Sequence, residues 1–423
     1  MKKFINATPY GDSNNRQQQA TEILVKDGVI EAIGNNLPGA DEEIDLKGRL
    51  VVPPYVDAHL HLDYVYTGKS EGATNDTGTL FEGIARWHDV KKTQTIEDAK
   101  QRALKRINEE VSKGVQFIRT HIDVCDPNLT GLKAMLEIRE QLKDNVTIQI
   151  VAFPQEGMYA YKGGEELVEE ALKMGADCVG GIPHFEWAYE FGQDSVRRAV
   201  ELAVKYDKLI DIHCDETDDP MSRHVQLLNA LVMVEDIGTR TAASHTCSFG
   251  SADNAYAFRM MQLFEKSGMN FIALPTENAY LQGRQDTYPK RRGLTRVKEF
   301  WESGINVCFG QDSINDPWYP AGNGNLMNIL DNGIHLAQTM SFAQLDTCLD
   351  LITYNGAKTL NVEDQYGLEK GKPANFLVLD ADSPFEAVRQ RADVLASIRN
   401  GEYLFKKPEP SYDVELDVFR KTK

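Results

Sequence analysis

The chain is predicted to be an α/β protein, a (β/α)8 TIM barrel carrying a small β-sandwich domain built from both termini. Three features lead there. Apolar runs of strand length recur through the middle of the chain, amphipathic helical stretches separate them, and most of the histidines sit where the runs end.

The first 50 residues read as short strands and turns. Residues 22–26 and 29–33 are β-rich and meet at Asp27-Gly28, a dipeptide suited to a tight hairpin turn. The same patterning returns at 374–380 and 394–402. Residues 1–50 and 366–423 are therefore expected to form the small β domain, with 51–365 inserted as the barrel. The eight runs of the insert are 50–58, 115–124, 146–153, 178–183, 209–214, 241–244, 271–275 and 305–310. They are almost continuously apolar, as strands covered on both faces are. Between the first two, Thr95 and Asp98 resemble an N-terminal capping pair. Ile96, Ala99, Ala103, Ile107 and Val111 then keep helical spacing, and Gly114 can end the helix. Before the fifth run, Val196, Ala199, Val200, Ala203 and Val204 mark another helix. A doubly wound parallel sheet would show the same alternation.

Composition narrows the function classes. Against 46 basic residues stand 64 acidic ones, a net charge of −18, which argues against nucleic acid or an anionic membrane as partner. The one basic cluster, Lys290-Arg291-Arg292 with Arg296 and Lys298, is short enough to be a solvated face or a set of internal ion pairs. Six cysteines lie scattered without a CxxC, mostly in apolar runs, as buried free thiols in a reducing compartment do. With no apolar stretch of signal-peptide or membrane-spanning length, a cytoplasmic protein is expected.

In such a barrel, chemistry belongs at the C-terminal ends of the strands. The first run closes on His59-Leu60-His61, and residues i and i+2 of a strand share a face. Later runs end at His121, His184, His213-Cys214-Asp215-Glu216, His245 and Gln311-Asp312-Ser313. Six of the nine histidines thus converge on one mouth, while His88, His224 and His335 lie elsewhere and read as structural. Imidazoles with one carboxylate suit a divalent ion, Zn2+ or Fe2+, with a position open for water. Glu216 and His245 could then move protons.

These residues resemble the amidohydrolase superfamily, whose pattern places His-x-His, His, His and Asp on strands one, five, six and eight. Within it, the closer resemblance is to the bacterial cytosine deaminases. The likeness runs in order through 78–84, Arg119-Thr120-His121, 151–157, 182–186, His213-Cys214-Asp215-Glu216, 243–246, Gln282-Gly283-Arg284, 286–293 and 316–320. It implies one metal held by His59, His61, His213 and Asp312. Relatives with two metals carry a carboxylated lysine on strand four, and 178–184 contains none.

The resemblance further implies that Glu216 is the proton shuttle. His245 would hold the attacking water and polarise the leaving group, and Asp312 would also accept a hydrogen bond from that water. Gln155 would bond the substrate ring, Trp318 would wall the pocket, and Phe153 and Ser313 would face the substrate. The expected reaction is hydrolytic loss of ammonia from cytosine or a related cyclic amidine, in a protein that is a homo-oligomer. Where the family has His-Asp-Asp, this chain reads Gln311-Asp312-Ser313, which enlarges and neutralises one side of the pocket. Isoguanine, creatinine and aminotriazines are therefore alternative substrates. A catalytically silent scaffold would have lost a ligand or Glu216, and none is lost.

Overall fold

Eight parallel strands lie side by side in chain order: Tyr55–Leu60, Val115–Asp123, Thr147–Phe153, Cys178–Val179, Leu209–Cys214, Thr241–His245, Asn270–Ala273 and Val307–Phe309. A bridge between Leu60 and Asp312 brings the eighth strand back to the first and closes the barrel. The computed structural model describes residues 1–11 and 20–411, so 12–19 and 412–423 of the terminal segments lie outside the described residues.

The run 50–58, read as the first barrel strand, is two strands in two different sheets. Leu50–Val52 pairs with Phe376–Leu379 and with Thr8–Pro9, while Tyr55–Leu60 begins the barrel. Pro53 and Pro54 separate them. Neither offers an amide hydrogen, so no ladder can continue through the pair.

The terminal segments form a four-stranded sheet, including Lys2–Ile5 and Glu22–Lys26, and a five-stranded sheet, including Phe376–Leu379 and Val394–Arg399. Phe4, Ile23, Val25 and Ile30 of the first pack with Val51, Phe376, Val378 and Ile398 of the second in one buried cluster. Burying each such side chain contributes about 1.5–3 kcal/mol, which holds the two sheets face to face.

The helix Ile96–Val111 starts at Thr95, whose side chain accepts from the Asp98 amide at 3.1 Å. Its buried stripe is Ala99, Ala103 and Ile107, directed at the barrel wall. The helix Tyr189–Tyr206 buries Val196, Ala199, Val200 and Ala203, but Val204 is turned to solvent. All six cysteines are buried and free. Among the described residues no helix is long and apolar enough to cross a membrane. The basic cluster is spent internally: Arg291 pairs with Asp286, Arg292 bonds the Leu336 carbonyl, and Arg296 bonds the carbonyls of Phe249 and Ala252.

Candidate functional site

Pairing of the first two barrel strands shifts register between Asp57 and Leu60, so the chain bulges just where His59 and His61 emerge. Such bulges re-aim side chains at sheet rims. Both imidazoles meet the strand-eight carboxylate: His59 Nε2 is 3.5 Å and His61 Nε2 3.3 Å from Asp312 Oδ1. His213, from the fifth strand, brings its Nε2 to 3.2 Å from that of His61. One donor atom each from His59, His213, His245 and Asp312 also falls within a 4.8 Å span.

His245 and Asp312 reach this point on backbone with φ of +66° and +68°. For residues other than glycine that conformation costs about 1–3 kcal/mol and tends to mark functional sites. It is held by bonds on either side. The Asp312 amide donates to the His59 carbonyl at 2.8 Å, and the Thr246 amide to the Cys214 carbonyl at 2.9 Å.

The donor set fits a divalent cation. His59 Nδ1 lies 3.0 Å from Ser244 Oγ, which itself donates to Asp211 Oδ1 at 2.6 Å. A hydroxyl has one hydrogen, and a carboxylate can only accept. Ser244 must therefore accept from His59 Nδ1–H, which leaves His59 Nε2 as a bare lone pair facing Asp312. That atom is buried with no hydrogen-bond partner. Burial lowers the His59 ring to about 4 and the His213 ring well below the ordinary imidazole value, so both are neutral as ligation requires. Burial would raise Asp312, but the adjacent His59 and His245 pull it well below the carboxylate range.

Arg119 locks the support by donating to Asp211 Oδ2 at 3.0 Å. Ser244→Ala should weaken metal affinity about 10–100-fold by freeing the His59 tautomer. Competition against a chelator would measure this, and unchanged affinity would refute the relay.

Glu216, from the end of strand five, and His245, from strand six, stand side by side, with His245 Nδ1 3.2 Å from Glu216 Oε1. Sequence reading passes over the residue that joins them. Asn278 Nδ2 lies 3.0 Å from Glu216 Oε1 and 3.1 Å from His245 Nδ1. Burial would lower His245, but Glu216 and Asp312 raise it above the usual imidazole value.

These groups open on a narrow cleft, which Gln155, Ser313 and Trp318 also line. Gln155 is buried with its Oε1 unpartnered. Trp318 donates to the Leu80 carbonyl at 3.2 Å and packs on Tyr64, whose ring stacks on His61 at 4.6 Å. Gly83 makes room for it, since a Cβ there would stand 2.4 Å from the indole.

Not every expected residue reaches the cavity. Phe153 lies behind it, stacked on His213 at 3.9 Å, where it orients that ring. His121 is buried with its ring 3.9 Å from that of His59. It joins His59 and Asp211 in a second cluster, but the Asp211 oxygens are already committed to Ser244 and Arg119. His184 sits on the turn after the short fourth strand, outside both clusters. Of the three histidines read as structural, His224 is buried against Asp215, His88 pairs with Glu156, and His335 is exposed beside Asp331.

Sequence reading does not assign four further lining residues to the site: Tyr64, Leu80, Glu277 and Leu281. Glu277 is 1% exposed, and burial together with Asp312, Asp316 and Glu216 nearby raises its carboxyl far above the ordinary value.

A sequence model of the amidohydrolase family matches residues 42–405. N-isopropylammelide isopropyl amidohydrolase of Pseudomonas sp. strain ADP is 30% identical over 387 residues, covering 90% of this chain and 93% of that protein. Pterin deaminase of Rhizobium rhizogenes is 26% identical over 403 residues, 94% of this chain and 90% of that one. The crystal structure of 5-methylcytosine deaminase from Klebsiella pneumoniae with 5-fluorocytosine superposes with a TM-score of 0.93 at 47% identity, covering 97% of this chain and 99% of that one.

Proposed function

Because the chain belongs to the amidohydrolase family, we propose that it removes the exocyclic amine from cytosine or a 5-substituted cytosine by hydrolysis, using one zinc or iron ion held by His59, His61, His213 and Asp312. The observation that carries this reading is that Glu216, His245 and Asn278 stand within 3.2 Å contacts of one another, and that His245 also shares a 4.8 Å donor cluster with His59, His213 and Asp312, in a cleft that Gln155 and Trp318 line. The 47% identical Klebsiella structure, a 5-methylcytosine deaminase holding 5-fluorocytosine, supports the choice of ring.

When bound, the ion makes water nucleophilic near neutral pH. The chain's own groups do the rest. Gln155 aligns the ring by its amide-like edge, and Trp318 covers one face. His245 orients the attacking water, and Glu216 takes a proton from it. Glu216 returns that proton to the ring nitrogen next to the reacting carbon. A carbon–oxygen bond forms, the carbon–nitrogen bond to the amine breaks, and the amine leaves as ammonia after a second proton from the water reaches it. Substrate and one water thus become the ring ketone and ammonia. Asn278 keeps Glu216 and His245 in register throughout.

The test is an ammonia-release screen of metal-loaded protein on cytosine, 5-methylcytosine, isoguanine, creatinine and aminotriazines. Turnover should be greatest among the cytosines. The 30% identity to an N-isopropylammelide hydrolase makes that compound the informative competitor, and its preference would replace this reading. Ser313→Asp, which restores an anion and removes space, should shift preference from 5-methylcytosine towards cytosine by about tenfold, in the range that a methylene in a tight pocket commands. An unchanged ratio of kcat/KM values would show that Ser313 does not set the choice.

A further inference from the structure

Among the residues lining the cavity, the buried side-chain oxygens without a hydrogen-bond partner are Gln155 Oε1 and Glu277 Oε2. Three other buried carboxylates near the barrel mouth are fully engaged. Asp316 accepts the amides of Ile314, Trp318 and Tyr319, Asp215 accepts from Ser222 and Val225, and Asp123 is bonded by Trp87 and Lys91. Glu277 lines the cavity itself, with the Ser313 hydroxyl bonded to its carboxyl and its Oε2 left without a partner. A buried carboxyl oxygen left without a partner is costly unless something else completes its bonding.

The barrel fixes where that something lies. Gln155 follows the third strand and Glu277 the seventh, four strands apart in a closed ring of eight. They therefore face each other across the mouth, with Glu216 and His245 of strands five and six between them on one side. A planar ring held at its amide-like edge by Gln155 presents its opposite edge to strands seven and eight. In a cytosine, the atoms opposite N1–H and C2=O are C4, which reacts, and C5. With C4 turned to Glu216 and His245, C5 is left facing Glu277 and Ser313.

We propose that Glu277 and Ser313 form a polar subsite for a hydrogen-bonding substituent at C5, so that this chain acts preferentially on cytosines carrying a hydroxyl-bearing group there. This rests on the cytosine reading above and names the substrate class within it. A carboxyl beside a serine hydroxyl offers both donor and acceptor capacity, which suits an O–H and leaves a methyl group unable to complete the bonding.

The experiment compares cytosine, 5-methylcytosine and 5-hydroxymethylcytosine with metal-loaded wild type, Glu277→Leu and Glu277→Gln. Wild type should favour 5-hydroxymethylcytosine over 5-methylcytosine by about tenfold or more in kcat/KM, as sites built to bond a hydroxyl do. Glu277→Leu should reduce that ratio at least tenfold, and Glu277→Gln, which keeps a donor and an acceptor, should retain most of it. A wild-type ratio near one or below overturns the proposal without any variant. So does a Glu277→Leu protein whose activities on both rings fall equally, which would mark Glu277 as structural. If none of the three cytosines releases ammonia from wild type, the cytosine reading itself has failed, and this outcome is distinct from the other two.

Discussion

Glu216→Gln is expected to lower kcat/KM for ammonia release by about 10²–10⁴-fold, the range that a positioned general acid–base contributes, while bound metal stays at one equivalent. The substitution preserves shape and keeps an oxygen for the Asn278 amide, which now lies 3.0 Å from Glu216 Oε1. What it removes is the capacity to take a proton and give it back. Metal content is expected to hold because Glu216 is neither among the proposed ligands His59, His61, His213 and Asp312 nor in the donor cluster of His59, His213, His245 and Asp312. The measurement is steady-state ammonia release beside metal analysis of the same preparation. Retained activity would remove Glu216 from the chemistry. Lost activity with lost metal would mean that the residue supports the cluster instead. A drop in kcat with KM unchanged is the signature of a group used in the transition state.

The parts of this site that were legible in sequence are those carried by period and position. An apolar run closing on His59-Leu60-His61 announces a strand tip, and repeating that reading along the chain finds His213, His245 and Asp312 before any contact is known. The relay from His59 through Ser244 to Asp211 was not legible. It joins residues 185 and 33 positions apart, and a serine in an apolar strand carries no signal of its own. Glu277 and Asn278 escaped for another reason. The seventh strand end, Leu274-Pro275-Thr276-Glu277-Asn278, has no histidine and reads as an ordinary helix start, with proline and an acidic residue in the first turn. The signal available was position: an acidic residue just past a barrel strand stands where function belongs. Pro53-Pro54 was equally readable as a break, but the continuous apolar run on both sides masked it. Phe153 shows the converse error. The resemblance implied that it faces the substrate, whereas tertiary closure placed it against the back of His213.

His213→Ala tests the cation site most directly, and its expected effect is loss of both bound metal and detectable ammonia release. The ring brings Nε2 to 3.2 Å from His61 Nε2 and is 3% exposed, and an alanine there offers a cation no donor atom. Removing it also strips Phe153 of its stacking partner and opens a void, so some loss of stability is expected in its own right. Activity alone would not separate a missing ligand from a damaged fold. The separating measurement is thermal unfolding with and without added zinc or iron. A metal that binds only the folded state stabilises it by about 2.7 kcal/mol at a hundredfold excess over Kd, so wild-type Tm should rise on metal addition. The His213→Ala protein should unfold at a Tm that metal does not change, still as a cooperative transition. Chelated wild type gives the reference, since it should lose activity and recover it when metal is returned, whereas the variant should recover nothing. A His213→Ala protein that holds a full equivalent of metal, or whose Tm rises with metal as wild type does, would show that the ion is held without strand five. The ligand set would then have to be redrawn around His59, His245 and Asp312.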